Sequence, residues 1–143
     1  MPIRLATDND RVLINEYIAT RIGDFELGMT PRGEEIEVVI DTDARIAVSI
    51  EWDGDRFLVA ALPRKANLRS VLRVLYVAFT GVVARRPALA NKPVIALAGP
   101  DRLADVAQWR AALPNVTVTP HYSGQRLRYA TVRALLADLE AWR

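Results

Sequence analysis

The sequence predicts a single α/β domain: a three-stranded antiparallel meander extended into a mixed sheet by a strand-helix-strand unit, with helices on both faces. Three observations predict it. Residues 34–62 fall into three consecutive segments of period two; residues 68–82 carry apolar side chains at helical spacing; and the continuous apolar run PVIALAG precedes a further helical segment and another alternating one. The 143 residues make one ordinary domain. A composition of 51% hydrophobic and 25% charged residues excludes a disordered tail or a collagen-like chain. With no cysteine, a disulfide scaffold, a thiolate nucleophile and a thiolate zinc site are excluded as well.

The first helix starts at the Thr7 and Asp10 pair, which has capping-box spacing, and continues through Leu13, Ile14, Tyr17, Ile18 and Ile22 until Gly23 stops it. Gly28, Pro31 and Gly33 mark a loop, in which Phe25 and Leu27 suit a short extended piece. The first two strands follow. Ile36, Val38 and Ile40 alternate with Glu35 and Glu37, Thr42 to Arg45 turn the chain, and Ile46, Val48, Ile50 and Trp52 alternate again. Asp53-Gly54 is a two-residue hairpin signal that sets Trp52 opposite Asp55, Glu51 opposite Arg56, Ile50 opposite Phe57 and Val48 opposite Val59. The third strand carries Leu58, Ala60 and Leu62 on its other side, so it is expected to be central and covered on both faces, with Pro63 ending it.

Asn67 caps the next helix, whose apolar stripe is Leu68, Val71, Leu72, Leu75, Phe79 and Val82, with Arg69, Arg73, Tyr76 and Thr80 opposite. After the buried strand 93–99, a helix bounded by Pro100 and Pro114 leads to Val116 and Val118. That run permits a parallel crossover. Gln125 to Tyr129 adds an edge strand, and Val132, Leu135, Leu136, Leu139 and Trp142 mark a last amphipathic helix.

The order helix, three-strand meander, helix, strand, helix, strand resembles that of the restriction-endonuclease-like fold, the PD-(D/E)XK nuclease superfamily, over roughly Thr7 to Tyr122. The resemblance implies an acidic residue near the start of one meander strand and a (D/E)-x-K tripeptide on the next, where carboxylates hold a divalent metal and lysine helps activate water. The third strand instead reads Phe57-Leu58-Val59-Ala60-Ala61-Leu62, without carboxylate or lysine. The nearest substitutes are Asp41 or Asp43 with Glu51-Trp52-Asp53, in which an aspartate stands at the lysine position. The resemblance therefore implies a member without nuclease chemistry.

Net charge is only +2, so an electrostatic partner has to be drawn by a local patch. Charge is segregated along the chain. Residues 34–55 hold eight acidic residues against Arg45 alone, whereas residues 56–100 hold eight basic residues, Arg64, Lys65, Arg69 and Arg73 among them, and no acidic one. This pattern predicts a positive surface around the central helix, able to bind phosphates or an acidic protein. Its rival is internal neutralisation by the acidic hairpin, as the expected Glu51 to Arg56 pair suggests. Arg85 and Arg86 suit the negative end of the helix dipole. Tyr122, Arg126 and Arg128 lie in a stretch that interleaves aromatic and basic residues, as base stacking and phosphate neutralisation require; a charged edge strand needs the same composition.

No glycine-rich nucleotide motif occurs, and Asp101 beside Gly99 opposes a phosphate at that helix start. His121 is the only imidazole and there is no nucleophile elbow, so no catalytic residue is expected. Carboxylates are the only metal option, with Asp41, Asp43, Glu51 and Asp53 as candidates, although turns use aspartate for backbone bonds. The expectation is a cytoplasmic, non-enzymatic module with no cofactor and no membrane partner, facing nucleic acid first and an acidic protein surface second. The alternatives are a metal-dependent nuclease or phosphoesterase using the acidic hairpin, and a structural or homo-oligomeric adaptor protein with an apolar contact, a homodimer being one form.

Overall fold

The computed structural model describes residues 2–17, 28–29, 35–60, 67–98, 103–121 and 124–143. One mixed sheet organises them. Its strands are β1 (Ile3–Leu5), β2 (Gly28–Met29), β3 (Glu35–Asp41), β4 (Ile46–Trp52), β5 (Phe57–Ala60), β6 (Val94–Ala98), β7 (Thr117–His121) and β8 (Gly124–Tyr129), in the order β1-β3-β4-β5-β6-β8-β7, with β2 pairing the other end of β3. The helices are α1 (Arg11–Tyr17), α2 (Leu68–Arg85), α3 (Leu103–Ala112) and α4 (Val132–Leu139). The expected end of the first helix at Ile22 and Gly23, and the strand end at Leu62 and Pro63, lie outside the described residues.

The antiparallel meander β3-β4-β5 is present, with Val39 facing Val48 and Ile50 facing Val59. The predicted hairpin register is wrong by two residues: Trp52 pairs with Phe57 and Glu51 with Leu58. The turn centres on Gly54-Asp55 rather than Asp53-Gly54, since the Asp53 N–H bonds the Arg56 carbonyl at 3.3 Å while the Asp53 Oδ1 accepts the N–H groups of Asp55 and Arg56 at 2.9 and 3.0 Å. Gly54 takes φ +98°, a conformation suited to glycine at the first central position of such a turn. A shift of two preserves the alternation, so each side chain keeps its expected face even though its partner changes.

The two strand patterns of β3 and β4 serve opposite faces. Val39, Ile46, Val48 and Ile50 join Phe57, Val59, Val94 and Tyr129 beneath α2 and α4, whereas Val38, Ile40 and Ala47 pack with Ile14 and Tyr17 of α1 on the reverse side. Both faces of the sheet therefore carry a core. Phe79, fully buried, meets Phe57 edge-on at 5.6 Å between ring centroids and anchors α2 to the centre of the sheet. β5 is central as expected, with Phe57 and Val59 buried and Leu58 half-buried on the other side.

Three differences concern strand order. The parallel neighbours are β5 and β6, joined through α2. β6 and β7 run in the same direction but do not touch, because each pairs antiparallel with β8 between them. β8 is thus an interior strand, not the expected edge, and β7 takes the edge. The N-terminal β1, bonded to β3 with Ile3 opposite Asp41, and the short β2 inside the expected loop, opposite Glu35 and Ile36, carry no pattern long enough to read from sequence. No helix among the described residues is long and apolar enough to cross a membrane.

Candidate anion-binding surfaces

The 18-residue helix α2 begins as its sequence dictates: the Asn67 side chain accepts the Ser70 N–H at 3.2 Å. Val71, Leu72, Val74, Leu75, Ala78 and Phe79 are buried against the sheet, which turns Arg69 and Arg73 outward, both exposed. At a spacing of four residues they stand one above the other, about 6 Å apart along the axis. The first turn holds no acidic residue. Unsatisfied N–H groups already make that end of the helix positive, so Arg69 there costs on the order of a few tenths of a kcal/mol and adds to the field. Among the described residues neither arginine forms an ion pair.

Other cations of the basic segment are engaged. Arg85 donates through Nη2 to both oxygens of Glu37 on β3, at 2.6 and 2.8 Å. Gly81 leaves room for that side chain, since a Cβ there would lie 3.2 Å from Arg85 Nη1. Arg86 stacks over Trp52, 5.9 Å from the ring centroid. The expected Glu51 to Arg56 pair is replaced by Arg56 with Asp53, at 3.1 Å, because the turn residues close on each other. Against the cost of burial, the N–H groups of Asp55 and Arg56 and the Arg56 guanidinium hold the Asp53 carboxyl below its ordinary value. Among the described residues, the acidic hairpin therefore pairs with Arg56 and Arg85, and no ion pair joins it to Arg69 or Arg73.

Arg126 and Arg128 lie in β8, alternating with Leu127 and Tyr129. Leu127 and Tyr129 are buried on the side of Leu75 and Leu135, so the arginines project from the opposite face. In register, Arg128 stands beside Thr117 and Arg126 beside Thr119 on β7, with Ile95 of β6 flanking Arg128. Arg128 and both threonines are exposed and Arg126 is half-buried. The two arginine pairs thus sit on opposite sides of the sheet, and no single footprint covers both. Arg64, Lys65 and Tyr122, expected in the same surface, lie outside the described residues, as does the Gly99 to Asp101 segment. Thr117 and Thr119 had a legible signal in their alternation with Val116 and Val118, but their neighbours across the sheet did not.

The carboxylate candidates do not converge. Asp41 pairs with Ile46 at one end of β4 and Asp53 follows Trp52 at the other, roughly 20 to 25 Å away along the strand. Asp41 Oδ1 accepts the N–H groups of Asp43 and Ala44 at 3.0 Å each, so it serves the turn. Among the described residues no three His, Asp or Glu side chains are placed to hold a metal ion. A structural ion pair the sequence did not suggest ties β1 to the first helical turn: Arg4 forks onto Asp10 at 2.8 and 2.9 Å, and the Thr7 N–H donates to the same carboxylate at 2.8 Å. No protein-family profile, curated protein or solved structure matches the chain.

Proposed function

We propose that the chain is a non-enzymatic binding module that presents arginines to an anionic partner, the phosphate backbone of a nucleic acid before an acidic protein surface. In this reading an endonuclease-like succession of elements serves for binding without cleavage. The observation that carries it is Arg69 above Arg73, exposed at the positive end of α2 with no carboxylate in the first turn and no ion pair among the described residues. Guanidinium forks suit phosphate oxygens, and a helix N-terminus adds to their field. Contacts of this kind position a backbone without reading its sequence.

The test is fluorescence anisotropy with labelled DNA and RNA of unrelated sequences over a salt series. Binding weakens steeply with salt, and Arg69→Ala with Arg73→Ala weakens it for every sequence while lowering the slope of log K against log salt by about 1.4 to 1.8, two phosphate contacts' worth. A double variant that binds like the parent overturns the proposal. A labelled oligoglutamate that binds through Arg69 and Arg73, with no nucleic acid binding, assigns the surface to an acidic protein instead.

A further inference from the structure

The open side of β8 and β7 is a second charged surface, separate from α2. Arg126 and Arg128 are about 7 Å apart along β8 and point the same way, with Thr119 and Thr117 directly across on β7. The four side chains form a tile of two guanidinium forks and two hydroxyls, with no carboxylate on either strand. The contacts of the described helices lie elsewhere: α2, α4 and Trp109 of α3 pack on the opposite face, and α1 lies over Val38, Ile40 and Ala47 at the far end of the sheet. Among the described residues neither arginine of the tile forms an ion pair.

Two features say what fits there. The tile offers positive charge and hydrogen-bond donors with no anionic group among its four side chains, which complements phosphate oxygens. The edge is a poor place for an extended peptide, because Pro120 removes a backbone donor from the five-residue β7, and strand addition relies on such donors. That leaves side-chain contact across the face as the mode of recognition, and a single-stranded phosphodiester backbone lying along β8 as the occupant, its successive phosphates met by Arg126 and Arg128.

We propose that the chain is bivalent: the β8 and β7 face holds one nucleic-acid strand while α2 holds another, so that one molecule links two segments across its sheet. The β8 half stands on its own geometry. The link between segments also rests on the α2 reading, and the experiment separates the two.

The probes are two single-stranded oligothymidylates of about eight nucleotides, one with a donor dye and one with an acceptor. Mixed with the protein at low salt, they give energy transfer, and sedimentation finds two oligonucleotides on one chain. Arg126→Ala with Arg128→Ala abolishes transfer and leaves one oligonucleotide bound; Arg69→Ala with Arg73→Ala does the same. Arg128→Glu, at an exposed position, removes transfer without touching the half-buried Arg126. Circular dichroism checks that each variant keeps the parent fold. One oligonucleotide per chain, lost only with Arg69 and Arg73, overturns the inference and leaves the α2 reading standing. One lost only with Arg126 and Arg128 overturns bivalency and the α2 reading together. Transfer that needs two chains per complex, or a tile displaced by oligoglutamate while α2 keeps its oligonucleotide, overturns the inference too.

Discussion

The Tyr129 hydroxyl donates to Asp138 Oδ2 at 2.6 Å, and this one bond joins β8 to α4. The same carboxylate, on a residue only 8% exposed, also takes the Asn115 N–H at 2.9 Å and the Asn115 side-chain amide at 2.7 Å, so the loop before β7 is fastened to the same point. Three donors replace the water a buried carboxylate loses. This hub places the strand that carries Arg126 and Arg128.

Tyr129→Phe keeps the ring and removes the donor, leaving Asp138 short of one bond. It is expected to cost about 1 to 3 kcal/mol in urea unfolding near neutral pH. Burial pushes the Tyr129 phenol above its ordinary value, and the bond to Asp138 pushes it further. A raised pKa stabilises the fold below the unfolded value of about 10, and this contribution declines above it as the unfolded tyrosine ionises. The gap between parent and variant is therefore expected to narrow in alkaline buffer. A gap that stays constant above pH 10 contradicts this role.

Acid should act on a different residue. The Arg4 guanidinium, followed by the Thr7 N–H, holds the Asp10 carboxyl well below the usual carboxylate range. A lowered pKa gives stability that is complete above the unfolded value of about 3.9 and declines as pH falls towards the folded one. Asp10→Asn is expected to lower stability at neutral pH and to flatten its fall below about pH 4, read from denaturant midpoints across a pH series. An unchanged slope would show that the ion pair contributes nothing to acid sensitivity.

Gly54 tests the turn. A Cβ at this position meets nothing within 4 Å, yet the backbone sits at φ +98°. Gly54→Ala therefore costs backbone energy alone, about 1 to 2 kcal/mol in thermal or urea unfolding. A neutral substitution would mean that the turn adopts another conformation at no cost.

Much of this fold was legible because it is local. Asn67 capping α2 and the stripe from Val71 to Phe79 depend only on neighbours within a few turns of helix. Trp52 facing Phe57 was missed because Asp53-Gly54 and Gly54-Asp55 are both plausible turn centres, and choosing between them depends on the bonds that Asp53 Oδ1 makes. The placement of β8 between β6 and β7 joins residues such as Ala96 and Leu127 that no local pattern connects. The same gap explains the site. Arg69 and Arg73 were readable as exposed on their helix, and Arg126 and Arg128 as sharing a strand face. That the two pairs look away from each other is a property of the sheet between them.

Because β7 is bonded to β8 and to no other described strand, its place in the sheet is borrowed. Whatever detaches β8 from β6 carries β7 off as well, while β7 can peel away and leave the remaining ladder intact. Amide exchange along Thr117–His121 is accordingly no slower than that along Gly124–Tyr129, whose opening it shares.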